Sequence, residues 1–99
     1  MKIIKDSISG TLESCDIQIM LISEDATGIE IDLKSSVEKQ FGRQIRNVIR
    51  ETLEKLSIDN VKIVATDKGA LDCTIKARVE CAVYRACGID EKLDWKVID

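Results

Sequence analysis

The side chains that ordinarily perform chemistry are sparsely arranged in this sequence. It contains no histidine, which removes the Ser–His and Cys–His pairs that activate hydroxyl and thiol nucleophiles. Four cysteines stand at Cys15, Cys73, Cys81 and Cys87. None forms a Cys-x-x-Cys pair, so the pattern does not describe a zinc site, and the thiols are expected to be reduced and to fill small core-compatible positions. Aspartates, glutamates and lysines are plentiful, yet no constellation of them stands out. No catalytic residue and no metal ligand is therefore assigned. Ser14 stands between Glu13 and Cys15, with Asp16 next, and Ser-x-Asp taken alone is an ordinary turn or a local side-chain-to-backbone hydrogen bond. Arg43, Arg46 and Arg50 recur at helical spacing and could receive phosphates or an acidic partner surface. The plainer expectation for them is a solvated helix face with Arg50–Glu54 and Glu51–Lys55 pairs, each contributing about 0.2–0.5 kcal/mol.

Composition narrows the class of protein that must position these residues. The chain has 99 residues, 44% hydrophobic and 33% charged, the balance of one ordinary globular domain over residues 1–99. With one Phe, one Trp and one Tyr, its core must be built from Ile, Val, Leu and Ala. A net charge of -3 supplies no basic field for nucleic acid, and the scarcity of aromatics leaves no stacking platform for bases. No apolar run approaches a membrane span and no signal peptide is visible, so no membrane partner and a cytoplasmic location are expected.

Hydrophobic periodicity then gives the elements. Residues 1–9 read as an extended lead-in. Ile17, Ile19 and Leu21 alternate within a strand over 16–22, and Ile29, Ile31 and Leu33 alternate in a second over 29–34. Glu24 to Gly28 between them has the character of a hairpin loop. Ser35 and Glu38 fit a capping box that opens a long helix. Val37, Phe41, Ile45, Val48, Ile49, Thr52 and Leu56 recur along it as the core-facing stripe, and Ser57 to Asn60 ends it. Gly42 inside the helix costs about 1 kcal/mol relative to alanine, which a close approach to the sheet would justify. Val61, Ile63 and Ala65 give a third strand, and Asp67-Lys68-Gly69 a turn. Beyond Gly69 the pattern is double. Leu71, Cys73, Ile75, Ala77 and Val79 alternate as in a strand, while Val79, Ala82, Val83 and Ala86 fit a helix closed by Gly88. We read a strand to about Arg78 followed by a short helix to about Cys87, with a single helix from Ala70 as the alternative. Residues 89–99, charged around Trp95, read as a loosely held tail. The expected fold is α+β in the order β-β-α-β-β-α, a small and mainly antiparallel sheet with two helices on one face.

Three stretches resemble a known family. They are Gly10-Thr11-Leu12-Glu13-Ser14-Cys15-Asp16; Ser35-Ser36-Val37-Glu38-Lys39-Gln40-Phe41-Gly42 with Gln44-Ile45-Arg46; and Asp67-Lys68-Gly69-Ala70-Leu71-Asp72-Cys73-Thr74-Ile75 with Ala77-Arg78. In order and spacing, from about residue 10 to 88, they are similar to the acyl carrier (gamma) subunits of citrate lyases. Cys15 occupies a position that is often glycine or serine in that family.

The resemblance implies that Ser14 bears phosphoribosyl-dephospho-coenzyme A, attached as a phosphodiester by a dedicated transferase. It implies an arm whose thiol carries acetyl and citryl thioesters between an alpha subunit, which exchanges acetate for citrate, and a beta subunit, which releases oxaloacetate. Such a chain is a non-catalytic carrier within a hetero-oligomer. A serine anchor suits this use, because a phosphodiester persists where a thioester must turn over, and tethering raises the local acyl concentration to roughly millimolar. Asp67-Lys68-Gly69-Ala70 would be either a plain turn or a contact for the arm or a catalytic subunit. A citramalate lyase carrier would look the same, a malonate decarboxylase carrier is more distant, and a non-covalent α+β interaction module or a self-contained enzyme are the contrasting classes.

Overall fold

The computed structural model describes residues 3–23 and 27–88. The expected tail over 89–99 and most of the expected loop at 24–28 lie outside them. Six elements follow in the order β1 (Ser7–Ser9), β2 (Ile17–Ile22), β3 (Ile29–Ser35), α1 (Glu38–Lys55), β4 (Val61–Asp67) and α2 (Asp72–Ala86). The α+β class stands, and the lead-in contributes a short strand.

The strands form one sheet in the order β1-β2-β4-β3. β1 pairs with β2 and β2 with β4 antiparallel, whereas β3 pairs with β4 in parallel, with Ile29 opposite Val61 and Ser35 opposite Asp67. The sheet is therefore mixed. The expected hairpin between the second and third strands does not form, because β4 lies between them. Helix α1 is the crossover that a parallel β3–β4 pair requires.

One face of the sheet is covered. Ile17, Ile19 and Leu21 of β2 and Val61, Ile63 and Ala65 of β4 are buried on it. Ile45, Ile49 and Leu53 of α1 and Ile75, Val79, Ala82, Val83 and Ala86 of α2 complete the same core. Both helices thus lie on one face, as expected. Burying an aliphatic side chain of this size contributes about 1.5–3 kcal/mol, so these chains are what order the short helix α2.

The expected strand after Gly69 is instead the first half of α2. Its buried residues follow the helical interval from Ile75 to Val79 and then Ala82, Val83 and Ala86, while Leu71, Cys73 and Ala77 are exposed. The single-helix alternative is the one observed, so no strand follows β4 and the order is β-β-β-α-β-α. The turn at Asp67-Lys68-Gly69 is present, with Gly69 at φ +90, a conformation open to glycine without steric cost.

Three further expectations change in detail. The capping box does not form: α1 begins at Glu38 with Val37 as its N-cap and no side-chain cap. Ser35 Oγ accepts from the Val37 amide (3.0 Å) and donates to Asp67 Oδ2 (2.8 Å), and Glu38 pairs with Arg46 (2.6 Å). That pair spans Gly42, where an added Cβ would meet Glu38 Cγ at 2.9 Å and an Arg46 guanidinium nitrogen at 3.0 Å, so the space over the glycine is taken by the ion pair and not by the sheet. Among the described residues, neither Arg50–Glu54 nor Glu51–Lys55 reaches ion-pair distance, and Phe41 stands 47% exposed.

Candidate functional site

Ser14 sits on an exposed turn between β1 and β2. The turn is closed by the Asp16 amide donating to the Glu13 carbonyl (3.2 Å), with Cys15 as its third residue at φ 64. A positive φ there favours glycine, which gives a physical reason for a glycine at this position and makes Cys15 a mildly strained occupant.

The hydrogen bonds that order the turn come from the neighbours of Ser14. The Cys15 amide donates to the Lys68 carbonyl (2.8 Å), and the Lys68 amide donates to the Asp16 carbonyl (2.9 Å). These two bonds extend the β2–β4 ladder past its last paired residues, Ile17 and Asp67. The Asp16 side chain is buried and gathers five donors. Thr11 supplies its amide (3.2 Å) and hydroxyl (2.7 Å), Ile17 its amide (2.7 Å), and Arg78 of α2 two guanidinium nitrogens (3.0 and 2.9 Å). The Arg78 hydrogen bond, then that of Thr11, holds the Asp16 carboxyl well below the usual carboxylate range, with burial opposing. Gly10 completes the hinge: its φ is +86, and a Cβ there would overlap the Ile17 carbonyl oxygen and crowd Arg78.

Across β4, Asp67 is 1% exposed and organises the next loop. Its carboxylate accepts from Ser35 Oγ (2.8 Å), the Gly69 amide (3.0 Å) and the Ala70 amide (3.0 Å), while its carbonyl accepts from the Ser36 amide (3.3 Å). The three motif stretches of the sequence therefore meet at one end of the sheet, around the ends of β3 and β4 and the starts of α1 and α2. Beside them, between the first turns of the two helices and the Gly69 loop, lies an open and largely apolar groove of about 610 Å³.

Sequence reasoning left Ser14 as either a turn residue or a local hydrogen-bonding one, and did not find the Asp16–Arg78 clamp or the Asp67 hub. The signal was available, since all three of these residues lie inside the motif stretches. The cysteines depart from expectation: all four are free, but Cys15 and Cys73 are exposed and do not fill the core. Burial raises the Cys87 thiol. Among the described residues no cluster of His, Cys, Asp or Glu is placed to hold a metal, and no helix is long and apolar enough to cross a membrane.

Comparison with known proteins decides the family. Over 99 residues, the whole of this chain, it is 54% identical to the citrate lyase acyl carrier protein of Streptococcus uberis and 58% identical to that of Lacticaseibacillus casei, covering 96% of each. It is 60% identical to that of Lactiplantibacillus plantarum over 86 residues, 87% of this chain and 88% of the relative. The chain belongs to the citrate lyase acyl carrier protein family. A family model described as malonate decarboxylase delta subunit (MdcD) also matches residues 4–86. In fold this carrier chain is similar to one chain of a Pseudomonas malonate decarboxylase hetero-tetramer crystallised with malonate. The TM-score is 0.65, with 83% of this chain and 84% of that one covered at 16% identity.

Proposed function

We propose that this chain is the acyl carrier subunit of a citrate lyase and that Ser14 is its attachment point for phosphoribosyl-dephospho-coenzyme A. The observation that carries the reading is the Ser14 turn itself, an exposed hydroxyl on a backbone clamped from both sides. A transferase needs access to the serine oxygen, and a tether needs a root that does not wander.

The chain's own residues fit that use. Ser14 offers the oxygen for a phosphodiester. Asp16, held by Arg78 and Thr11, fixes the turn against α2, and Lys68 fixes it against β4. Lys68 is exposed on the strand end that is bonded to the turn, which puts a cationic residue next in the ladder to the attachment point. When bound, the group supplies a terminal thiol through which acyl groups pass between alpha and beta subunits as citrate becomes acetate and oxaloacetate. The protein carries rather than catalyses, as one domain over residues 1–99, in the cytoplasm, and its partners are the alpha and beta subunits and the attaching transferase.

High identity to citrate lyase carriers over the whole chain supports citrate over malonate as the acid handled, and the assay separates citrate from citramalate. The experiment is to express tagged wild-type and Ser14→Ala chains in a host strain lacking its own copy, purify the assembled complex, and assay citrate, citramalate and malonate. We expect citrate cleavage by the wild-type complex and none by an equally assembled Ser14→Ala complex. Full activity in that variant would overturn the reading.

A further inference from the structure

The groove beside the Ser14 turn has the make-up of a ligand site. Its volume, about 610 Å³, lies within the range of about 300–1,000 Å³ usual for small-molecule pockets. Phe41 of α1 and Leu71 at the start of α2 line it and are 47% and 70% exposed, with Val37, Ala70 and Cys73 between them. These are costly side chains to leave in water, and Phe41 is the only phenylalanine of the chain. At the rim, Gln44 Nε2 donates to both oxygens of the Asp72 carboxylate, at 3.0 Å each. Each carboxylate oxygen keeps capacity for a further donor, and the amide keeps its own acceptor oxygen. An aromatic face with an amide and a carboxylate at its edge is the chemistry that recognises a flat heteroaromatic base bearing an exocyclic amine.

The groove is also close to the tether. Lys68, bonded through its carbonyl to the Cys15 amide, directly precedes Gly69 and Ala70 on the groove wall. From Ser14 to Gly69 the path is two steps along the chain and one across a strand pair, about 13 Å at most. A phosphodiester and a ribose lie between the serine and the adenosine of the arm, a linker of comparable length. Tethering supplies the base at roughly millimolar local concentration, enough for a site of modest intrinsic affinity.

We infer that this groove is the resting subsite of the arm's adenine, stacked on Phe41 with its amino group toward Gln44 and Asp72. The inference rests on the covalent reading of Ser14. Docking of the nucleoside there fixes the root half of the arm against the carrier and leaves the pantetheine half free to reach the catalytic subunits. The length that swings is then the shorter, distal part, and the exposed apolar surface of the carrier is covered by its own prosthetic group.

The test uses the full chain with and without co-expressed transferase, loading being read by intact mass and docking by NMR. In the loaded protein we expect amide shifts at residues 69–73 and around Phe41, in addition to those next to Ser14, and NOEs from the adenine ring protons to the Phe41 ring. Phe41→Ala and Phe41→Leu, both at a half-exposed position, should keep the mass addition and a dispersed spectrum but lose the groove shifts, while shifts at residues 13–16 persist. If mass shows full loading and the shifts stop at the Ser14 turn, the adenine does not dock and the inference fails while the covalent reading survives. Groove shifts that arise only on adding alpha or beta subunits would assign the groove to a protein partner and overturn it as well. Absence of any mass addition on protein from its native host would remove the covalent reading and this inference together.

Discussion

Arg78→Ala should loosen the Ser14 turn without dismantling the core. Arg78 gives two hydrogen bonds to the Asp16 carboxylate, whose side chain is 13% exposed, while the guanidinium side is 39% exposed. A hydrogen bond to a charged group contributes about 1.5–3 kcal/mol when buried, whereas an exposed ion pair contributes about 0.2–1 kcal/mol in total. Half exposure at one partner, and the three donors that Asp16 keeps from Thr11 and Ile17, set the loss at about 2 kcal/mol. For a domain of this length that corresponds to a fall in Tm of about 10 °C. Because Arg78 lowers the Asp16 pKa in the folded state, the stabilisation is fully present above the unfolded value near 3.9 and is lost as pH falls through the depressed folded value. The Tm gap between wild type and Arg78→Ala should therefore be widest near neutral pH and narrow progressively as pH falls below about 4. Amide exchange should accelerate at Cys15 and Ile17, with little change at Ile63 in β4. Arg78→Lys should recover only part of the loss, since an ammonium cannot bond in the bidentate fork. A Tm within about 2 °C of wild type at pH 7, with unchanged exchange at Cys15, would refute the clamp.

Other substitutions test other parts of the account. Gly10→Ala places a methyl group on the Ile17 carbonyl at a positive φ, so a loss of more than about 3 kcal/mol in urea denaturation is expected. Cys15→Gly removes a left-handed strain of about 1–2 kcal/mol and adds about 0.4–1 kcal/mol of unfolded-state entropy, for a small net gain in Tm with Ser14 still modifiable. Asp67→Ala removes the acceptor for three donors at a site 1% exposed and should cost about 3 kcal/mol by thermal melting. Ser9 Oγ is buried without a hydrogen-bond partner among the described residues, so Ser9→Ala should be neutral or stabilising by about 1 kcal/mol in the same assay.

The strands with an alternating aliphatic row on one face were readable, because a half-buried sheet demands that period: Ile17, Ile19 and Leu21 are buried in β2, and Val61, Ile63 and Ala65 in β4. Sheet order was not readable from the same residues. Alternation fixes which face is buried, but a hairpin and a crossover satisfy it equally, and here β4 enters between β2 and β3. The segment from Leu71 misled because Cys and Ala count as apolar yet contribute little when buried. Only Ile75 and Val79 of the five alternating residues carry burial, and they lie four apart, on one face of a helix. Ser35 could not be resolved as a cap or a hub from its neighbours, since its partner Asp67 is 32 residues away. Ser14 was singled out only through the motif, and its neighbours left a turn and a local hydrogen bond equally open. The residues that hold it were not, because Asp16 and Arg78 are separated by 62 positions and only the fold brings them together. Phe41 kept helical spacing but lies on the groove edge of α1, where a periodic pattern cannot distinguish a core position from a half-exposed one.

The most direct measurement is the intact mass of the chain purified from its native host, with fragmentation to locate any addition. The account predicts a single addition of the mass of phosphoribosyl-dephospho-coenzyme A, localised to Ser14 and missing from Ser14→Ala. An unmodified chain, or the same addition on another residue, would contradict it.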